Sequence, residues 1–150
     1  MQISSRFTIA IHTLTCIGIF QDEHKVTSEF LARSVNVNPV IIRKVLGQLK
    51  NAELVQVQRG SGGATLAKPL VEITLLDVFN AVESIENHQL FNFHDQPNPD
   101  CPVGRNIHQV LDNRLEEIQK AMEVKMKSIN LEDIVKDTQS FIDKQKNNGS

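Results

Sequence analysis

The 150-residue sequence carries two cysteines, Cys16 and Cys101, too few for the disulfide framework that small secreted domains use. A long hydrophobic run is also missing. The apolar stretch over residues 7–20 is too short to span a bilayer and is interrupted by His12, Thr13 and Thr15. No small-residue cleavage site follows it. These absences predict a soluble, cytoplasmic protein with no membrane partner. Enzyme signatures are lacking as well: there is no GxxxxGK[ST] loop, no HExxH pair, and no grouping of acid, base and nucleophile. Residues 60–63 lack the strand-to-helix context of a dinucleotide site. No catalytic and no metal-ligating residue is assigned, and no enzymatic activity is expected.

Charge of one sign is not in excess, the net being −2, which argues against a generic polyanion binder. Its distribution is more informative. Residues 33–68 hold six cations (Arg33, Arg43, Lys44, Lys50, Arg59 and Lys68) and one anion, Glu53, so this segment carries +5 and the remainder −7. A basic head on an acidic body binds DNA in one orientation and is repelled in others.

Local signals within that head spell two short helices. Thr27 offers a capping oxygen to the first, in which Phe30, Leu31 and Ala32 are apolar and which ends near Ser34. Val35-Asn36-Val37 reads as a tight turn, since asparagine tolerates the left-handed backbone. Asn38-Pro39 opens the second helix with a capping amide and a proline whose missing N–H costs nothing there. Ile42, Val45, Leu46 and Leu49 recur at three- and four-residue steps and predict one buried face. Val40, Ile41, Arg43, Lys44 and Lys50 are left to project. Two such helices form a helix-turn-helix. Residues 54–58 alternate as a strand does, residues 59–63 form a flexible glycine-rich tip, and residues 64–67 return as the partner strand. A hairpin in that position is a wing, with glycines that permit close approach to a nucleic-acid backbone and an arginine fork for phosphate or a narrow minor groove.

The arrangement resembles the winged-helix regulators of the Rrf-two family, typified by IscR and NsrR, which are bacterial, dimeric and DNA-binding. The features that carry the resemblance are the opening Ser4-Ser5-Arg6-Phe7, the segment from Val45 through Leu49 to Lys50, the Leu54-Val55 strand start and the glycine-rich wing. Together they cover the chain from about Ser4 to Val135. Where that family often has a further glycine and an aromatic in the wing, this chain has Ala64 and Thr65. The resemblance implies that the start of the first helix approaches the DNA backbone, giving Ser5 and Arg6 a phosphate role; an ordinary surface arginine is the other reading of Arg6. The DNA-contacting candidates are then Ser5, Arg6, Thr27 and Ser28, with Asn38, Val40, Ile41, Arg43 and Lys44 for the major groove. Arg59, Gly60, Ser61, Gly62 and Gly63 are assigned to the minor groove or the phosphates.

Outside the head, a first helix is expected over residues 4–20, with Phe7, Ile11, Leu14 and Gly18 on its apolar face and Cys16 in the core. Thr74 and Asp77 form a capping box for a helix reaching Glu83 or Ser84, with Leu75, Val78, Phe79 and Val82 apolar. Residues 85–102 are polar and proline-punctuated, a long loop of the kind that often carries function. A long helix follows over residues 103–127. Its Ile107, Leu111, Leu115, Ile118, Met122 and Met126 make a narrow seam near the coiled-coil period, suited to a second copy or to packing on helix one. Asn130 caps a last helix with Leu131, Ile134, Val135 and Ile142 facing inward, and residues 144–150 read as a disordered tail.

The fold class expected is mainly α with a small β-hairpin: a winged helix-turn-helix over residues 1–84, a sensing loop over 85–102, and a dimerisation helix plus C-terminal helix over 103–150. In IscR and NsrR the loop supplies three cysteines to an iron–sulfur cluster. This chain has Cys101 alone there, and a cluster needs about four ligands. No cofactor is therefore expected; an atypical cluster site would have to combine Cys101 with His88, His94 or His108. The resemblance implies instead that Cys101 responds to oxidants or electrophiles, its thiolate favoured by a helix start; a small buried hydrophobe is the bland reading. The function expected is a homodimeric DNA-binding repressor on a pseudo-palindromic operator. A winged-helix protein-interaction module is the alternative.

Overall fold

The computed structural model describes residues 3–60, 62–83 and 90–149. In chain order the elements are α1 (Ser5–Phe20), α2 (Ser28–Val35), α3 (Pro39–Asn51), β1 (Val55–Val57), β2 (Ala64–Leu66), a 3-10 turn (Leu70–Glu72), α4 (Leu75–Val82), α5 (Pro102–Lys127) and α6 (Leu131–Asn148). The fold is mostly helical with one antiparallel hairpin. No helix among the described residues is long and apolar enough to cross a membrane.

The core is assembled around α1, which touches α2, α3, β2, α4 and α6. Because neighbours cover it on several sides, its buried set is broader than one stripe: Ala10, Thr13, Leu14, Thr15, Cys16 and Ile17 are all buried. Phe7, Ile11 and Gly18, expected on the buried face, lie half-buried at its margins. A Cβ on Gly18 would come within 3.2 Å of both Leu70 and Val135, so α6 and the 3-10 turn cross α1 where it has no side chain. Leu31, Ile42, Val45, Leu49, Val78, Val82 and Leu131 complete the centre.

The capping box of α4 is present in both directions, with Asp77 N–H donating to Thr74 Oγ1 and Thr74 N–H to Asp77 Oδ2. Asn130 caps α6 by accepting from Asp133 N–H. These two helix starts are joined: Leu75 N–H donates to the Ile129 carbonyl at 2.9 Å and Leu131 N–H to the Ile73 carbonyl at 2.8 Å. The C-terminal helix is thereby pinned to the base of the winged domain.

One expectation is corrected. The tail from Lys144 is not disordered; α6 continues to Asn148. Good helix formers occupy it, Gln139 bonds to Asp143, and Lys144 lies over the Phe141 ring at 5.6 Å. The α5 seam, expected to lie against a second copy or against α1, is incompletely covered within the single chain. This 26-residue helix has no fully buried residue. It packs on α4 alone among its main neighbours, leaving Ile107, Leu111, Leu115, Met122 and Met126 half-buried and Ile118 54% exposed.

Candidate nucleic-acid interface

The helix-turn-helix is built by the local chemistry read from the sequence. Thr27 Oγ1 accepts from Phe30 N–H at 3.1 Å. Asn36 adopts φ 63°, ψ 51°, and its N–H closes α2 on the Ala32 carbonyl at 2.8 Å, the left-handed cap that an asparagine tolerates. Asn38 Oδ1 then accepts from Val40 N–H at 2.9 Å, with Pro39 opening α3. Ile42, Val45, Leu46 and Leu49 are buried as expected. Asn38, Val40, Ile41, Arg43, Lys44 and Lys50 are exposed. Val40, at 55% exposure, and Ile41 stand beside the cations, apolar contacts of the type that thymine methyls accept.

The hairpin is shorter than the alternating pattern implied. Register pairs Val55 with Leu66, Gln56 with Thr65 and Val57 with Ala64, while Gln58 N–H reaches the Gly63 carbonyl. On the outgoing strand only Leu54 and Val55 are buried; Val57 and Gln58 are both exposed, because the hairpin projects beyond the core. Its described tip is not loose. Gly63 has φ +80°, and a Cβ there would sit 2.9 Å from the Val26 nitrogen; Ala64 N–H donates to the Val26 carbonyl at 2.8 Å. A Cβ on Gly62 would lie 2.5 Å from Gln58. Leu66 N–H is held by Gln21 Oε1 from the end of α1. Ser61 lies outside the described residues.

Between the start of α2, the outer face of α3 and the wing lies a groove of about 390 Å³ lined by Thr27, Ser28, Arg43, Lys50, Gln58 and Gly60, among others. It brings together candidates that are up to 36 positions apart, Thr27 and Gly63. Gln58 and Gly47 also line it. Neither carries charge, and a Cβ on Gly47 would meet nothing within 4 Å, so nothing in the one-dimensional pattern marked them. Lys44, Asn38 and Arg59 lie outside the groove on the exposed α3 and wing surfaces. Ser5 and Arg6 do not line it; they begin α1, where Ser5 is exposed and Arg6 half-buried. Among the described residues Arg43, Lys44, Lys50 and Arg59 have no carboxylate within ion-pair distance. Their charge is therefore uncommitted and available to phosphate.

Cys101 is the exposed N-cap of α5. Pro102 has no N–H, so Gly104 and Val103 offer the first free donors, and these lower the thiol below its ordinary value. A Cβ on Gly104 would lie 2.4 Å from the Asn98 carbonyl, so this glycine lets the loop fold back over the helix start. His94 stacks on His108 at 5.2 Å, and His108 Nδ1 is 3.1 Å from Asp112 Oδ1. The donor set does not fit an iron–sulfur cluster: one thiol stands in the loop, His108 is already engaged, and among the described residues no three His, Cys, Asp or Glu side chains converge. His88 lies outside the described residues.

Comparison with known proteins agrees with this geometry. A family model described as Rrf2, iron-dependent transcriptional regulator, matches residues 3–137. YwnA of Bacillus subtilis (strain 168), whose name provisionally assigns it as an HTH-type transcriptional regulator, is 41% identical over 133 residues, 89% of this chain and 96% of that protein. A crystal structure provisionally described as a DNA-binding protein superposes with a TM-score of 0.69 at 39% identity, covering 87% of this chain and 98% of that one. T. potens IscR has the same fold, with a TM-score of 0.68 at 21% identity over 92% of this chain and 88% of that one. The relatives are transcriptional regulators, not enzymes. The chain thus belongs to the Rrf2 family of transcriptional regulators, the Rrf-two family that its motifs resembled.

Proposed function

We propose that the protein is a homodimeric repressor that clasps a pseudo-palindromic operator, without an iron–sulfur cluster, and that Cys101 tunes its affinity. The observation that carries this reading is the groove between α2, α3 and the wing, flanked by cations with no carboxylate partner. Arg43 and Lys44 read base edges in the major groove, a good bidentate contact being worth about 1–3 kcal/mol of discrimination. Thr27, Ser28 and Lys50 hold phosphates, and Arg59 to Gly63 follow the minor groove or backbone. Ser5 and Arg6, at the start of α1, add backbone contacts.

Dimerisation is supported by α5, about 39 Å long at the usual rise. Val103, Val110, Ile118 and Val124 are between 53% and 69% exposed on it. A second copy laid along this helix would bury those side chains and set two recognition helices one helical turn of DNA apart, about 34–36 Å. Oxidation or alkylation of Cys101 would perturb the first turn of that same helix.

Titration of the protein against its own promoter at several salt concentrations tests the interface. Arg43→Ala with Arg59→Ala should weaken binding, relax specificity at the base that Arg43 reads, and flatten the salt dependence by about one phosphate contact through Arg59; unchanged binding would refute the assignment. Ile118→Glu with Val124→Glu should yield monomers by light scattering. Peroxide should alter DNA binding of the parent and leave Cys101→Ser unaffected. A coloured, iron-containing protein from anaerobic purification would overturn the cluster-free reading.

A further inference from the structure

On the side of α1 opposed by α6, three side chains that the DNA interface does not use form a hydrogen-bonded chain. Ser34 Oγ, in the last turn of α2, lies 2.9 Å from His12 Nε2 and 3.2 Å from Cys16 Sγ. His12 and Cys16 are one helical turn apart on α1, so both face the same neighbour. Their exposures differ sharply: His12 is in solvent, whereas Cys16 is 5% exposed. All three line one groove of about 480 Å³, whose other walls are five hydrocarbon side chains, Ile11, Ile19, Phe20, Ile134 and Ile142, and three threonines. Its size suits a small organic molecule, and largely apolar walls with a few convergent polar groups are the usual makeup of such a site. Burial raises the Cys16 thiol, with the Ser34 hydrogen bond opposing that effect. At rest the sulfur is therefore protonated and inert toward water-borne reagents.

We propose that the groove and the His12–Ser34–Cys16 chain form a capture site for small apolar α,β-unsaturated carbonyl compounds, with Cys16 as nucleophile and His12 as base acting through Ser34. The balance of the step is complete without an oxidant. Ser34 passes its hydroxyl proton to neutral His12 Nε2 and takes the thiol proton from Cys16, and its new O–H points back at the thiolate. The sulfur lone pair forms an S–C bond to the β-carbon of the acceptor. The C=C π pair moves to the carbonyl as an enolate, which is protonated at the α-carbon by the histidinium through water, regenerating neutral His12. The requirement for an apolar acceptor follows from the walls, since a charged one would lose its hydration against five hydrocarbon side chains. An adduct on Cys16 would wedge α6 away from the end of α2; that regulatory consequence rests on the DNA-binding reading, whereas the capture chemistry does not.

The test uses the full chain carrying Cys101→Ser, so that Cys16 is the remaining thiol. N-phenylmaleimide and a carboxylate-bearing maleimide serve as probes, and adduct formation is followed by intact mass with peptide mapping. The apolar probe should modify Cys16 at least about tenfold faster. His12→Ala and Ser34→Ala should each slow it about tenfold or more near neutral pH, within the range of general-base effects. At alkaline pH, where hydroxide removes the proton, the variants should converge with the parent. His12 is exposed, so His12→Ala should leave the circular dichroism and melting unchanged. Equal rates for the two probes, rates insensitive to His12→Ala, or modification only in step with added denaturant would each overturn the proposal. Because the readout is mass and not DNA binding, failure here is separable from failure of the operator reading.

Discussion

Glu83 Oε1 accepts two hydrogen bonds from Ser4, one from its backbone N–H at 3.1 Å and one from its hydroxyl at 2.8 Å. The residues are 79 positions apart. Glu83 is the C-cap of α4 and Ser4 the N-cap of α1, so one carboxylate ties the beginning of the chain to the helix that precedes the loop carrying Cys101. A free N–H at a helix start is satisfied by an anion, which also suits the positive end of the helix.

Glu83→Gln keeps the shape and removes the charge. Hydrogen bonds to charged groups contribute roughly 1.5–3 kcal/mol when shielded and less in a half-exposed site. The expected cost is about 1 kcal/mol in urea unfolding, with faster amide exchange confined to the first turn of α1. Uniform loosening of the whole chain would contradict this local account.

The two left-handed wing glycines should respond unequally to a methyl group. Gly60, at φ +74°, opens onto free space, whereas Gly63 would press its Cβ on the Val26 backbone. Gly60→Ala should carry only the backbone penalty of about 1 kcal/mol. Gly63→Ala should displace the wing from Val26, lowering stability further and weakening DNA binding by more than tenfold. Comparable affinities for the two variants would show that the Val26 contact does not position the wing.

Thr13 Oγ1 is fully buried on α1 without a hydrogen-bond partner. An unsatisfied hydroxyl costs about 1–3 kcal/mol. Thr13→Val replaces it with a methyl of similar size and should raise the melting temperature, with a gain of roughly 1 kcal/mol. A lowered melting temperature would mean that the hydroxyl is bonded in solution.

His108 is raised above the ordinary value of 6.5 chiefly by its hydrogen bond to Asp112; the Asp112 charge, the His94 backbone and Asp95 push the same way. A raised folded value means the contribution is complete below the unfolded value and is lost as pH rises through the folded one. The His94–His108 stack and the start of α5 should therefore be better protected at about pH 5.5 than at about pH 8. An NMR titration should place His108 above 6.5, and Asp112→Asn should bring it down. A midpoint at or below that value in the parent would remove the effect.

Much of the reading head was legible because its signals are short-range. The Thr27 and Asn38 caps, the left-handed Asn36 and the buried row from Ile42 to Leu49 each depend on residues within a turn or two, as does the Thr74 cap of α4 outside the head. The wing was legible in position but not in length or stiffness, since Val57 looks like a core residue until the hairpin is seen to leave the core. The groove residues Gln58 and Gly47 had no signal, because lining a groove is a relation between elements. Cys16 read as a core thiol, which its burial supports, yet its contact with Ser34 crosses from α1 to α2 and has no periodic signature.

By itself the sequence determined where most helices start, which faces are apolar, and that positive charge gathers in one segment. These follow from local hydrogen bonding and from side-chain period, both encoded in neighbours along the chain. The tertiary structure alone decided that Gly63 must abut Val26, that Glu83 holds Ser4, that α6 closes against α1 to make the Cys16 groove, and that Val103, Val110, Ile118 and Val124 of α5 are left exposed. Such contacts depend on the angles at which packed elements cross, and a crossing angle is a property of two surfaces together.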